Sequence, residues 1–420
     1  MAYNKQSQIK KMSWAQRKPR QFFLLFSIIV LISLQFFNYV GFDSGMLKML
    51  SMFLALVFTC FYTIPAIFKP KIHVDYYNII RFITISYFIS MLMAYVFWGQ
   101  SSILTFRCSY NILYFGIFFF IIKYNPRISD LERFVKSFTI LYMVVFLISL
   151  VIFPTVLFSV TPDKDLDVSR GLVRLFIGGD MFLYLSYFMY LNNYVETHKK
   201  KALIWVLICF LFIILRVTRQ TIFITFAIGV IYVLKNRIKY CIAAIILFLF
   251  LYLWTPTIKV SDTSILGSLI NLTESQQDMM QSGQENIRIL EYKYFFTEYS
   301  SNFITSIFGS GMPHSESRYG RWYASLNMNQ KMFLSDVGYG MMFAIYGLFS
   351  LVLYIFMYIK GAFKKVDNNY VYVRLFFVFL IFNNIASSVF MLADTIICTA
   401  ICLYIYNIKK VRICANSDKS

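Results

Sequence analysis

Apolar residues in this chain fall into long blocks separated by short polar punctuation, and the blocks are too long for strands or ordinary core helices. A membrane-spanning helix needs about 20 predominantly apolar residues. Twelve stretches meet that length or approach it, near 22–40, 46–68, 79–98, 103–122, 138–160, 175–193, 202–216, 218–234, 238–254, 337–359, 371–389 and 391–406. The pairs 202–234 and 371–406 are the shortest, and each is read as a tight helical hairpin. Arg216 and Arg219 stand at the tip of the first hairpin and Asp394 at the tip of the second. A single long helix over 202–234 would set two arginines in lipid, which insertion scales put at about 3 kcal/mol each. The predicted fold class is therefore an all-α polytopic membrane protein with about twelve spans. The connections are short except for one between the ninth and tenth spans, which divides the chain into 1–254, a large loop 255–336, and 337–420 with the last three spans.

Composition supports this reading: 59% of the 420 residues are hydrophobic and only 14% are charged, against about 25% charged in soluble domains. The net charge of +20 would by itself point to nucleic acid or an anionic surface. Its distribution decides otherwise. A basic leader (Lys5, Lys10, Lys11, Arg17, Lys18, Arg20) with no small-residue cleavage site after it predicts an uncleaved first helix and a cytoplasmic N-terminus. Alternating the twelve spans then places 27 basic and 6 acidic residues inside, and 13 basic and 14 acidic outside. The excess is an orientation signal, both termini are cytoplasmic, and no nucleic-acid partner is expected. None of the seven cysteines falls in an outer loop, so no structural disulfide is expected.

The outer basic residues differ chemically from the inner ones, with eight Arg to five Lys outside and eight Arg to nineteen Lys inside. Arginine on the disfavoured side needs a reason beyond topology, and its planar fork suits bidentate phosphate or carboxylate binding. Arg170 and Arg174, Arg216 and Arg219, Arg288, Arg318 and Arg321 are the candidates for such an anion site. Snorkelling to headgroups, or pairing with Asp163, Asp165 and Asp167, competes with that assignment for any single arginine. A phosphorylated ligand outside the membrane points to lipid-linked diphosphates carrying a glycan or another group.

Within the loop, apolar spacing over 284–307 (Ile287, Leu290, Tyr294, Phe295) predicts an amphipathic helix, which Phe308-Gly309-Ser310-Gly311 ends. His314 is the only imidazole outside and is a candidate general base, with a solvated structural role as the competing assignment. Asp336, just before the tenth span, is a candidate helix cap and also a candidate proton acceptor. Asp180, Asn383, Asn384 and Asp394 are polar groups at or within spans, where function and inter-helix hydrogen bonding compete.

Three segments carry a family resemblance. Leu215-Arg216-Val217-Thr218-Arg219-Gln220, then Glu285-Asn286-Ile287-Arg288 followed by the Gly-x-Gly at 309–311, and Ser335-Asp336-Val337-Gly338-Tyr339 with Tyr346-Gly347-Leu348, together with the overall topology, resemble the O-antigen polymerase and ligase superfamily. The resemblance implies a GT-C-like membrane enzyme of the bacterial cytoplasmic membrane that transfers a glycan from a polyprenyl-diphosphate carrier to an acceptor hydroxyl, without metal or other cofactor. It implies that Arg216 and Arg288 bind the diphosphate with Arg219 assisting, and that the partners are the lipid-linked donor and acceptor, membrane lipid, a chain-length regulator and a flippase. Ligases of that superfamily carry a His-Asn pair before the tenth helix, where this chain has Ser335-Asp336. The expectation is therefore a polymerase for capsule, O-antigen or exopolysaccharide, with Asp336 or His314 as base. A ligase and a lipid-linked oligosaccharide flippase are the alternatives.

Overall fold

The computed structural model describes residues 13–36, 44–69, 74–152, 158, 166–167, 172–173, 175, 177–216, 218–234, 287–300 and 302–417. Its helices are α1 (Pro19–Ser33), α2 (Ser44–Phe58, continued through a π-helical turn Thr59–Thr63 into Ile64–Phe68), α3 (Tyr77–Trp98), and α4 (Ser102–Ser109, a 3-10 stretch Tyr110–Phe115, then Gly116–Tyr124). They continue with α5 (Ile128–Val151), α6 (Asp180–Thr197), α7 (Lys200–Leu215), α8 (Arg219–Val233), α9 (Ile287–Thr297), α10 (Phe303–Phe308), α11 (Arg318–Gln330), α12 (Gly338–Phe363), α13 (Val371–Asn383) and α14 (Ala393–Ser417). Among the described residues the one ladder is a hairpin in which β1 (Leu166–Asp167) pairs antiparallel with β2 (Leu172–Val173).

Helices overlie eleven of the twelve expected stretches, and the stretch 238–254 lies outside the described residues. Among the described residues, five helices are long and apolar enough to cross a membrane, and Pro19–Ser33, Arg219–Val233 and Ala393–Asn407 are shorter apolar helices. The chain is thus a multi-pass helical membrane protein. Its exposed face agrees: Leu348, Val352, Phe356, Ile359 and Phe363 form one apolar stripe on α12, each at least 43% exposed. A stripe at that spacing, unpartnered within the protein, is the face that meets lipid.

Both short stretches divide into two helices, as expected. α7 and α8 are separated by the turn at Arg216, and α13 and α14 by an irregular segment over 384–392. α5 differs from expectation, beginning at Ile128 rather than 138. The charges at Asp130, Glu132, Arg133 and Lys136 mask that start in a hydropathy reading, yet Ile128, Leu131, Phe134, Val135 and Phe138 continue the buried face upstream. The amphipathic segment 284–307 is also two helices rather than one. Asn302 opens α10 with a capping box, its Oδ1 accepting from Thr305 N at 2.9 Å, and this interrupts the pattern.

The last turn of that segment is built into the bundle. After α10, Ser310 N donates to Ala344 O (3.0 Å) and Gly311 N to Ile345 O (2.9 Å), carbonyls of α12 whose helical partners are lost at Gly347. Gly347 (φ +77°) and Gly309 (φ +85°) are pressed together: a Cβ on Gly309 would lie 2.1 Å from Ile345 O, and one on Gly347 would lie 2.2 Å from Ile307 O. Gly311 is seated against Ser90 and Ala94 of α3. At a rise of 1.5 Å per residue, Gly347 is about 13 Å along α12 from its start. The segment called a loop from sequence thus dips between α3 and α12. Irregular backbone at such depth requires internal partners, which the two crossed hydrogen bonds supply.

Gly309→Ala and Gly347→Ala should each cost about 3 kcal/mol or more, since backbone strain adds to the overlap. Gly99→Ala, also at positive φ but with nothing within 4 Å of a Cβ, should cost about 1 kcal/mol. Thermal unfolding of the detergent-solubilised protein should show two large drops in midpoint and one small one. Equal drops in all three would contradict the inserted segment.

Candidate functional site

The ends of α1, α7 and α13 and the starts of α6 and α14 meet around a cavity of about 410 Å³ at the loop-bearing end of the bundle. Among the described residues, three charged side chains line it: Arg216, Asp180 and Asp394. Each stands at a helix terminus. Arg216 caps the C-terminus of α7, Asp180 is the first residue of α6, and Asp394 is the second residue of α14.

The start of α6 explains the cluster. Gly179 occupies its N-cap (φ +99°) and has no side chain to receive the free N–H groups of the first turn. Asp394 supplies the missing acceptor from α14, its Oδ2 taking hydrogen bonds from Gly179 N and Met181 N (both 3.2 Å), while its Oδ1 takes Thr395 N (2.8 Å). A carboxylate there also meets the positive end of the helix dipole. Asp180 pairs with Nη1 of Arg216, and the same Nη1 donates to Tyr184 Oη at 2.6 Å. The guanidinium lies over the Tyr184 ring, 5.6 Å from its centroid. Both ion-pair side chains are at least 86% buried, yet the buried Nε of Arg216 has no hydrogen-bond partner among the described residues. The polar wall is completed by Thr221, whose hydroxyl donates to Asn383 Oδ1 (3.2 Å).

A second cluster stands behind the turn that forms one wall. Arg288 is exposed on α9, and one helical turn on, Glu291 is 1% exposed. Phe333 N donates to Glu291 Oε1 at 2.9 Å, while Oε2 is buried without a partner among the described residues. Burial, reinforced by the nearby Asp336 carboxylate, pushes the Glu291 carboxyl from its ordinary 4.5 up to about 7, against the pull of Phe333 N–H and Arg288. Asp336 is exposed, ends a 3-10 turn (Leu334–Asp336), and accepts from Ser335 Oγ at 3.0 Å. It does not cap α12: Val337 holds that position with no side-chain bond. Ser388 N donates to Ser335 O (3.1 Å), and Gly338 packs on Asn384 and Ser387. Ser387 lines the cavity, so Asp336 belongs to the segment packed directly against its wall.

The other nominated residues are distributed differently. Arg219 opens α8, beside Gln220, whose amide donates to Phe382 O. His314, Arg318 and Arg321 gather at the end of α3 and the start of α11, and none lines the Arg216 cavity. There His314 N donates to Gln100 Oε1 (3.0 Å), His314 Nδ1 accepts from Glu316 N (3.2 Å), Arg321 reaches Glu316 O, and Arg107 pairs with Glu316 at 3.4 Å. Arg318 is exposed, and Arg170 and Arg174 lie outside the described residues. Glu291 was absent from the sequence-derived site. On an amphipathic helix beside Arg288 and Lys293 it reads as a solvent-facing acid, and only its three-residue spacing from Arg288 hints otherwise.

No protein-family model, curated protein or solved structure matches this chain.

Glu291 holds its proton more tightly folded than unfolded, so its contribution to stability is full below about pH 4.5 and is lost as pH rises through about 7. The unfolding midpoint of the wild type should fall between about pH 5 and pH 7, and Glu291→Gln, which keeps the acceptor for Phe333 N–H, should remove that part of the slope. An identical pH profile in the variant would contradict the assignment.

Proposed function

We propose that this protein is a polysaccharide repeat-unit polymerase with twelve spans, both termini in the cytoplasm and residues 255–336 outside. It transfers a glycan from a polyprenyl diphosphate to a hydroxyl of another lipid-linked repeat unit. The observation that carries this reading is Arg216: a buried guanidinium with an unpartnered Nε, lining a cavity at the loop-bearing end of a membrane bundle. Fixed cationic donors aimed at a leaving diphosphate stabilise the charge that develops as the bond breaks. The acceptor oxygen attacks the anomeric carbon, the bond from that carbon to the diphosphate oxygen breaks, and the diphosphate leaves with the electron pair. Asp336, exposed on the segment packed against the cavity wall, takes the acceptor's proton, while Arg288 and Arg219 support the diphosphate. His314 is the competing base through Nδ1, which accepts from Glu316 N and so leaves the neutral ring's own proton on Nε2.

A transport reading also has an observation behind it. α12 is interrupted at Gly347 and the α13–α14 connection is irregular over 384–392, and interrupted helices line binding sites in many transporters.

Arg216→Lys keeps the charge beside Asp180 and loses the fork, so the protein should fold and polymerise about 100-fold more slowly. With Arg219→Ala and Arg288→Ala it should shorten or abolish the long-chain ladder of the surface glycan on a gel while single units remain attached. An unchanged ladder in all three variants would sink the proposal, and loss of single units as well would indicate a ligase.

A further inference from the structure

The chain leading into Asp336 is held one peptide group after another, from three separate parts of the fold. Phe333 N donates to Glu291 Oε1 of α9 (2.9 Å), and the next amide, Leu334 N, donates to Tyr323 Oη of α11 (2.9 Å). Phe333 O receives Asp336 N (3.2 Å), which closes the turn. Ser335 O receives Ser388 N (3.1 Å), from the segment that also carries the cavity residue Ser387. Leu334 and Val337 are buried to either side of Asp336, which is itself exposed. An amide beside an exposed residue such as Phe333 does not need a buried acid as its acceptor, because water or a neutral hydroxyl serves as well, as Tyr323 does for Leu334. Glu291 is nevertheless 1% exposed, with Oε2 unpartnered among the described residues, and burial of a polar group in that state is costly. Features that lower stability in this way concentrate at functional sites. The single hydrogen bond that Glu291 does make goes to the stretch that sets where Asp336 stands against the cavity wall.

We propose that Glu291 and Tyr323 are positioning residues for Asp336: through two consecutive backbone N–H groups they fix the Leu334–Asp336 turn, and with it the carboxylate that meets the acceptor hydroxyl. The inference rests on reading Asp336 as the base of the proposed transfer. Neither positioning residue touches substrate or takes its proton. Glu291 serves as a hydrogen-bond acceptor and not as a charge, so Gln can replace it. A displaced base costs rate rather than binding, because the diphosphate is held by Arg216, Arg219 and Arg288. A shift of about 1 Å in a reacting group is enough to slow an oriented reaction about 100-fold.

The test is the initial rate of chain extension by the full-length protein in lipid vesicles. The substrate is the polyprenyl-diphosphate-linked repeat unit purified from cells lacking this protein, varied in concentration so that kcat and KM separate. Glu291→Ala should lower kcat about 10- to 100-fold with KM changed by less than about threefold, and Glu291→Gln should return kcat to within about threefold of the wild type. Tyr323→Phe, which loses one hydroxyl, should lower kcat about 3- to 10-fold in the same way. Asp336→Asn should itself lose about 100-fold or more, and in that background Glu291→Ala or Tyr323→Phe should cost no more than about a further twofold, because no base is left to misplace. An equally large loss in both backgrounds, a loss that falls on KM, or a Glu291→Gln variant as slow as Glu291→Ala overturns the positioning role and leaves Asp336 as base. Wild-type kinetics in both Glu291→Ala and Tyr323→Phe do the same. If Glu291→Ala does not fold, Tyr323→Phe in the two backgrounds decides alone. Full activity of Asp336→Asn overturns the base and the inference with it, and a wild type that extends no chain overturns the polymerase reading itself.

Discussion

A guanidinium buried in a membrane bundle has to be balanced where it lies, and the arrangement around Arg216 follows from that. A lone charge at such a position costs several kcal/mol, and breaking one partner of a buried pair leaves an uncompensated ion, which is costlier than never having the pair. Asp180 balances Arg216, and Asp394 is held beside them because α6 begins at a glycine that cannot cap its own first turn. One electrostatic requirement therefore fixes the end of α7 against the starts of α6 and α14. The space between those termini cannot be filled by helix, and the cavity occupies it.

The second constraint is backbone satisfaction. α12 gives up its helical hydrogen bonds at Gly347, and the Gly309–Gly311 strand of chain takes them over. The segment over 384–392 is likewise irregular, with Asn384 Oδ1 receiving Phe390 N and Tyr292 Oη reaching Ile385 O. These breaks lie at the same end of the bundle as the charged cavity. Irregular backbone at membrane depth is tolerated where it is buried in protein or lines a cavity, and both cases occur here.

Much of this was legible from sequence because it depends on local pattern. Block length fixes where helices run, and the cost of arginine in lipid splits 202–234 at Arg216. Two glycines, Gly309 and Gly311, mark the break after Phe308. What was not legible depends on long-range pairing. Nothing near Arg216 in the chain announces Asp180 as its partner, and Asp394 reads as the polar tip of a hairpin rather than the cap of another helix. Glu291 looks like a surface acid until Phe333 and Asp336 fold over it. The eight outer arginines also read as one set, whereas Arg216 lines the cavity and Arg318 and Arg321 sit with His314 on a separate part of the loop.

The central claim is that the Arg216 cavity is where a glycan leaves its diphosphate, and reconstitution tests it most directly. Purified protein in lipid vesicles, supplied with a single lipid-linked repeat unit and no other enzyme, should produce a stepwise ladder of longer lipid-linked chains. Movement of the repeat unit across the vesicle membrane with no lengthening would contradict the claim and assign the interrupted helices to transport.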